Sequence, residues 1–108
     1  MTIIVTGGAG FIGSHFLKFI ENKVDSEIIV LDNLTYAADL NNIPKSSKIN
    51  FLWCDISNEK HVNFIFNKYK PKKAILTHLG AWLDYDELLS RCPNNVEPGY
   101  DGLTINLT

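Results

Sequence analysis

The chain's first apolar run ends abruptly in glycine. Residues 2–6, TIIVT, are mostly apolar and β-branched, and Gly7, Gly8, Gly10 and Gly13 crowd the next seven positions. Phe11 then opens a stretch to about Asn22 in which Ile12, Phe16, Phe19 and Ile20 recur at helical spacing. A buried strand, a glycine turn and an amphipathic helix in that order leave few folding options. Gly8-x-Gly10-x-x-Gly13, or G-x-x-G-x-x-G counted from Gly7, is a spacing used where backbone must approach a phosphate. One glycine permits the tight turn, one lets N–H groups reach the anion, and Gly13 lets the helix lie close to the sheet. The helix N-terminus adds donors that no intrahelical carbonyl takes, and the positive end of its dipole.

An acid is expected at the end of the next strand, where it would bind a ribose. Residues 27–31, EIIVL, form that strand, and Asp32 closes it 19 positions after Gly13. Its charge would repel a 2′-phosphate, and no Arg or Lys stands beside it, so NAD is expected over its phosphorylated form. In a chain that binds nothing, the same glycines would serve a plain turn and Asp32 a solvated strand end.

The remaining pattern alternates strand and helix. Residues 33–48 read as a long loop with one helical turn at 37–42, and INFLWC at 49–54 as a third strand. Ser57 is placed to cap a helix whose inward stripe is Val62, Ile65, Phe66 and Tyr69, stopped by Pro71. KAILTHL at 73–79 reads as a fourth strand. Asp84 and Glu87 resemble a capping box ahead of a helix with Tyr85, Leu88, Leu89 and Cys92 inward and Pro93 ending it. LTINL at 103–107 is the expected fifth strand. The fold class is thus α/β, a Rossmann-like doubly wound parallel sheet of about five strands in order 3-2-1-4-5, with three αβα layers.

Composition narrows the function. At 108 residues and 45% hydrophobic, the chain is expected to form one soluble domain. A net charge of −2 gives no footprint for nucleic acid or an anionic membrane. The start MTIIVTGGAG lacks the pattern of a signal peptide or membrane span, and Cys54 and Cys92 lack C-x-x-C spacing, which together suggest reduced thiols in the cytoplasm. The charge is uneven. Nine lysines against seven acids give +2 over residues 1–73, whereas one arginine against five acids gives −4 over residues 74–108.

TIIVTGGAGFIGSHFLKFI, VLDNLTYAADL and FLWCDISN resemble the N-terminal part of the extended short-chain dehydrogenase/reductases, most closely the dTDP-glucose 4,6-dehydratases of the nucleotide-sugar branch. The resemblance spans residues 1–73. It implies that Gly7, Gly10, Phe11, Ile12 and Gly13 meet a pyrophosphate and that Asp32, Asn33, Leu34 and Thr35 surround the adenosine ribose. Asp55 and Ile56 would border the adenine. Thr35 and Tyr36 would equally suit an ordinary loop, and Asp55 would equally suit a polar position ahead of a helix cap. His78-Leu79-Gly80-Ala81 approximates a turn by which that family lines the cofactor, adding Leu79 and Ala81 to the expected site.

Residues 74–108 depart from that pattern. AILTH followed by VEPGYDGL resembles the C-terminal end of metallo-β-lactamase-fold phosphodiesterases, so the chain reads as a chimera of a dehydratase-like cofactor half (1–73) and a metallohydrolase-like tail (74–108). His15, His61 and His78 are unclustered, and His78 with Asp84 offers too few ligands for a metal. The dehydratase family works through a Tyr-x-x-x-Lys pair after about the fifth strand. Tyr36, Tyr69, Tyr85 and Tyr100 are read as having no lysine four residues on, and no lysine follows Lys73. The expected function is an NAD- or adenine-nucleotide-binding module without turnover, the alternatives being an engineered scaffold with no ligand or a metallohydrolase remnant. Edge strands leave a monomer or a weak homodimer open.

Overall fold

The aliphatic run at the second strand is buried from both sides, and the first half of the chain is built around it. The computed structural model describes residues 2–35, 38–76, 84–92, 94–100 and 102–106. The chain divides into two compact units, Met1–Pro71 and Lys72–Thr108.

In the first unit, β1 (Thr2–Thr6), α1 (Phe11–Ile20), β2 (Glu27–Asp32), β3 (Ile49–Trp53) and α2 (Glu59–Tyr69) follow in order. The sheet order is β1-β2-β3, with β2 parallel to both neighbours. Every residue of β2 from Ile28 to Asp32 is buried. Alternation along a strand sends neighbours to opposite faces. Ile28 and Val30 therefore join Leu17, Ile20 and Ile49 under α1, while Ile29 and Leu31 join Cys54 and Ile65 under α2. Helices thus cover both faces of a parallel sheet, the Rossmann-like doubly wound arrangement that the pattern predicts. Leu17, Ile28, Ile29 and Leu31 are fully buried, and each contributes roughly 1.5–3 kcal/mol relative to exposure.

Two local expectations are corrected here. Of the apolar positions that recur along α1 at helical spacing only Ile20 is buried. Ser14 and Leu17 complete the buried face, whereas Ile12, Phe16 and Phe19 are 66%, 45% and 63% exposed. Gly13 sets the roll of the helix, because a Cβ there would overlap the Gly7 carbonyl. The side of α1 carrying Gly13 must face the loop, and Leu17 and Ile20, four and seven residues on, then face the core. The cap of α2 also shifts by one residue: Asn58 accepts from the His61 N–H at 3.1 Å, and Ser57 is engaged by Asp55 instead. The inward stripe of α2 is as expected, with Ile65 buried and Val62, Phe66 and Tyr69 packed beside it. A single 3₁₀ turn at Leu40–Asn42, capped by Asp39, is the helical turn of the long loop.

In the second unit, β4 (Ala74–Leu76) and β5 (Val96–Pro98) pair in parallel with α3 (Tyr85–Arg91) between them in sequence. The strand expected at 103–107 is corrected, since Leu103–Asn106 lie outside any strand and β5 comes earlier. Pro98 hid it from sequence reasoning, because a proline inside a short run argues against a strand. It is tolerated as the last residue of β5, and Glu97 is held by the Lys73 ammonium at 3.1 Å. Asp84 caps α3 by accepting from the Asp86 and Glu87 N–H groups at 2.9 and 3.3 Å. The Glu87 carboxylate instead takes the Arg91 guanidinium one turn on, so the box is half made.

Candidate functional site

The glycine turn is held by the strand beside it. Gly7 donates to the Leu31 carbonyl at 2.7 Å, and its carbonyl accepts from Gly10 at 3.1 Å, closing the turn. Gly7 has φ +71°, in the left-handed region that favours glycine. Gly10 is the N-cap of α1 with extended backbone and no side chain to cap it. The first intrahelical bond runs from Ser14 N–H to the Gly10 carbonyl at 3.0 Å. The N–H groups of Phe11, Ile12 and Gly13 therefore precede it, the arrangement that receives an anion. A Cβ on Gly10 would meet only the Gly7 carbonyl, at 3.4 Å, so the fold tolerates a side chain here while the space above the helix start does not stay clear. Phe11 and Ile12, 76% and 66% exposed, leave that approach open. Bare backbone donors, a short turn and room at Gly10 fit a diphosphate.

Asp32 is not a solvated strand end. It is 8% exposed, with Oδ2 accepting from Ala9 N–H at 3.0 Å and Oδ1 from Leu34 N–H at 2.9 Å. One carboxylate thus fixes both the glycine turn and the turn after β2. Leu34 sits at φ +56°, a strained conformation for a leucine. Its N–H bond to Asp32 and the bond from the Trp53 indole N–H to the Asn33 carbonyl, 3.1 Å, hold that turn in place. Each carboxylate oxygen keeps a second lone pair, so Asp32 can still accept from a diol at the strand end. Thr35 is exposed, and its carbonyl accepts from Ala38 N–H at 2.8 Å.

Asp55 and Ile56 follow β3. The Asp55 carboxylate accepts from Ser57 twice, from the hydroxyl at 2.7 Å and the N–H at 2.9 Å. The Ser57 hydroxyl, and then its N–H, hold the Asp55 carboxyl below the usual carboxylate range. Asp55 stands three residues ahead of the Asn58 cap of α2, and its backbone carbonyl accepts from the Asn58 N–H at 2.9 Å. Ile56 is 65% exposed beside it. Burial, and then the Asp55 charge, push the Cys54 thiol up, which keeps it protonated and unreactive at neutral pH. Leu79, Ala81 and His78 lie outside the described residues. Among the described residues no group of three or more His, Cys, Asp or Glu is placed to hold a metal ion. No helix among them is long and apolar enough to cross a membrane.

Sequence reasoning passed over three residues that shape the site: Ala9, Asn42 and Trp53. The Ala9 carbonyl accepts from Asp39 N–H at 3.1 Å and Asn42 Nδ2 at 3.0 Å, and Ala9 is fully buried. No local pattern signals a bond between positions 33 residues apart. The expectation that no tyrosine has a lysine four residues on is corrected at Tyr69, since Tyr69 and Lys73 have the Tyr-x-x-x-Lys spacing. Tyr69 ends α2 and packs in its core cluster, Lys70 is left-handed at φ 48°, and Pro71 follows. The Lys73 ammonium is paired with Glu97.

Known proteins are similar to this chain in sequence and in fold. The chain is 34% identical over 105 residues to the dTDP-glucose 4,6-dehydratase of Haemophilus influenzae, covering 94% of this chain and 30% of that protein. The crystal structure of dTDP-glucose 4,6-dehydratase from Bacillus anthracis in complex with NAD superposes with a TM-score of 0.67 at 27% identity, over 91% of this chain and 36% of that one. UDP-glucose 4-epimerase from Thermotoga maritima, with UDP-glucose, superposes with a TM-score of 0.59 at 31% identity, over 84% of this chain and 28% of that one. The chain thus spans about a third of the length of these relatives. The NAD dependent epimerase/dehydratase family matches residues 3–90, which include the glycine loop, Asp32 and both helices that cover the first sheet, and the chain belongs to that family.

Proposed function

We propose that this chain is the NAD-binding portion of a nucleotide-sugar dehydratase or epimerase. The observation that carries the reading is the junction of the glycine turn with Asp32, where one buried carboxylate holds Ala9 N–H and Leu34 N–H. The N–H groups at the start of α1 would hold the pyrophosphate, and Asp32 with the Asn33–Thr35 turn would hold the adenosine ribose. NAD supplies hydride transfer when bound. These residues bind and orient it, and the Asp32 charge disfavours a 2′-phosphate. The residues that would act on a sugar are assigned to the part of the relatives' length that this chain does not span. The chain itself is therefore proposed to bind without turnover.

A separate, metallo-β-lactamase-like origin for residues 74–108 has the change in charge balance in its favour. The family match running to residue 90 supports one origin instead. A ligand-free scaffold differs from the binding reading in one measurable respect, which is saturable heat with NAD.

The test is titration calorimetry of the chain and of Gly10→Val. The chain is expected to bind NAD and ADP-ribose saturably. Gly10→Val is expected to lose at least tenfold in affinity, about 1.4 kcal/mol, while the unit stays folded, since the new Cβ meets only the Gly7 carbonyl and the poorer N-cap costs about 1 kcal/mol. Equal affinity in the variant would remove the glycine turn from the site.

A further inference from the structure

We propose that Asn42 is a positioning residue for the phosphate-binding turn, acting through the Ala9 carbonyl. The proposal rests on the reading that this turn takes the pyrophosphate of a dinucleotide.

Ala9 lies between the two glycine steps of the turn, immediately before the N-cap of α1. Its peptide groups are gripped from both sides. Asp32 Oδ2 accepts from the N–H at 3.0 Å, while Asp39 N–H and the Asn42 side-chain amide donate to the carbonyl at 3.1 and 3.0 Å. The Ala9 side chain is fully buried and too small to anchor anything, so hydrogen bonds set the orientation of this peptide. The orientation matters because the plane of the Ala9–Gly10 peptide fixes where α1 begins. It thereby fixes where the N–H groups of Phe11, Ile12 and Gly13 point.

Among the described residues Asn42 is the only side chain in the clasp on the carbonyl, since the Asp39 contribution comes from its backbone. The 3₁₀ turn at Leu40–Asn42, capped by the Asp39 carboxylate accepting from Asn41 N–H at 2.9 Å, presents that amide. The segment after the ribose-side turn is in this way fastened to the phosphate-side turn. An aspartate at 42 would place a second acceptor against the carbonyl and is expected to act as alanine does. Asn42 is half-buried rather than in the core, so its loss leaves the sheet standing.

The test compares the chain with Asn42→Ala and Asn42→Asp, each titrated with NAD, ADP-ribose and AMP and melted thermally. Both variants are expected to bind NAD and ADP-ribose about five- to tenfold more weakly, the net worth of one hydrogen bond in a preformed site. AMP, with one phosphate, is expected to weaken less than twofold. Amide exchange at Ala9 and Gly10 is expected to quicken in both variants while the β2 amides keep their protection. A purely structural role would lower all three affinities alike and quicken exchange across the sheet, and that result would overturn the proposal. Unchanged NAD affinity in both variants would overturn it too. If the unsubstituted chain binds neither NAD nor ADP-ribose, the proposed function and this inference fall together. If it binds and the variants match it, only the inference falls.

Discussion

Replacing Gly13 with alanine is expected to unsettle both the first unit and its site. The new Cβ would overlap the Gly7 carbonyl oxygen and crowd the Gly7 carbonyl carbon and Gly8 Cα, all backbone atoms that cannot rotate aside. Relief requires either α1 to lift off β2 or the turn to open. Lifting α1 loosens Leu17 and Ile20 from the cluster with Ile28, Val30 and Ile49. Overpacking of this kind costs about 1–3 kcal/mol where side chains can adjust, so a cost of about 3 kcal/mol is expected against backbone. For a unit of this size that lowers the melting temperature by about 10–20 °C. Opening the turn also displaces the N–H groups at the helix start, so NAD binding is expected to vanish. Thermal melting and calorimetry read the two losses separately. An alanine variant melting within about 2 °C of the original chain would contradict the close approach described here.

Asp32→Ala has the second largest expected effect, through a different route. Two backbone donors lose their acceptor, Ala9 N–H in a buried setting and Leu34 N–H in a partly buried one. A hydrogen bond to a charged group contributes about 1.5–3 kcal/mol, and a stranded buried donor costs about 1–3 kcal/mol. Allowing for water reaching Leu34, a loss of about 2–4 kcal/mol of stability is expected. Leu34 is also expected to leave its strained conformation once its N–H is released. Asp32→Asn separates the two donors. Its one carbonyl oxygen can serve Ala9 or Leu34, while its NH₂ group must face the other N–H. It is expected to keep part of the stability and to bind NAD more weakly than the original chain. If denaturant unfolding gives Asp32→Ala within 0.5 kcal/mol of the original, about the noise of a surface change, the carboxylate does not join the two turns.

The glycine spacing and Asp32 were legible because their chemistry is written in backbone geometry, which a sequence states directly. The positive φ at Gly7 favours glycine and the close approach at Gly13 leaves no room for a Cβ, while the acid that closes β2 stands beside the turn. What Asp32 touches was not legible. Which N–H a carboxylate takes depends on how far apart two strand ends sit, and the sequence pointed to a ribose rather than to Ala9. The roll of α1 was misjudged because apolar spacing favours Ile12, Phe16 and Phe19, while Gly13 and Ser14 carry no hydropathy signal. Packing of Gly13 against Gly7 outweighs that pattern. The α2 cap moved because Asp55 competes for Ser57 and leaves Asn58 to serve. In the second unit β5 was hidden by Pro98 and Glu97, residues that a three-residue parallel strand tolerates at its end and beside a lysine.

The change in charge after Lys73 suggested a second parent for the tail. The family match reaches residue 90, well into that tail.

The turn between β1 and α1, fastened to Asp32, is proposed to receive the pyrophosphate of NAD. Amide chemical-shift mapping on titration with NAD tests it most directly. Saturable shifts are expected at Gly10, Phe11, Ile12 and Gly13, with Asp32 and Leu34 moving at the same ligand concentrations and the amides of α2 staying still. Shifts absent from Gly10–Gly13 at saturating NAD, or centred on α2 instead, would contradict the account.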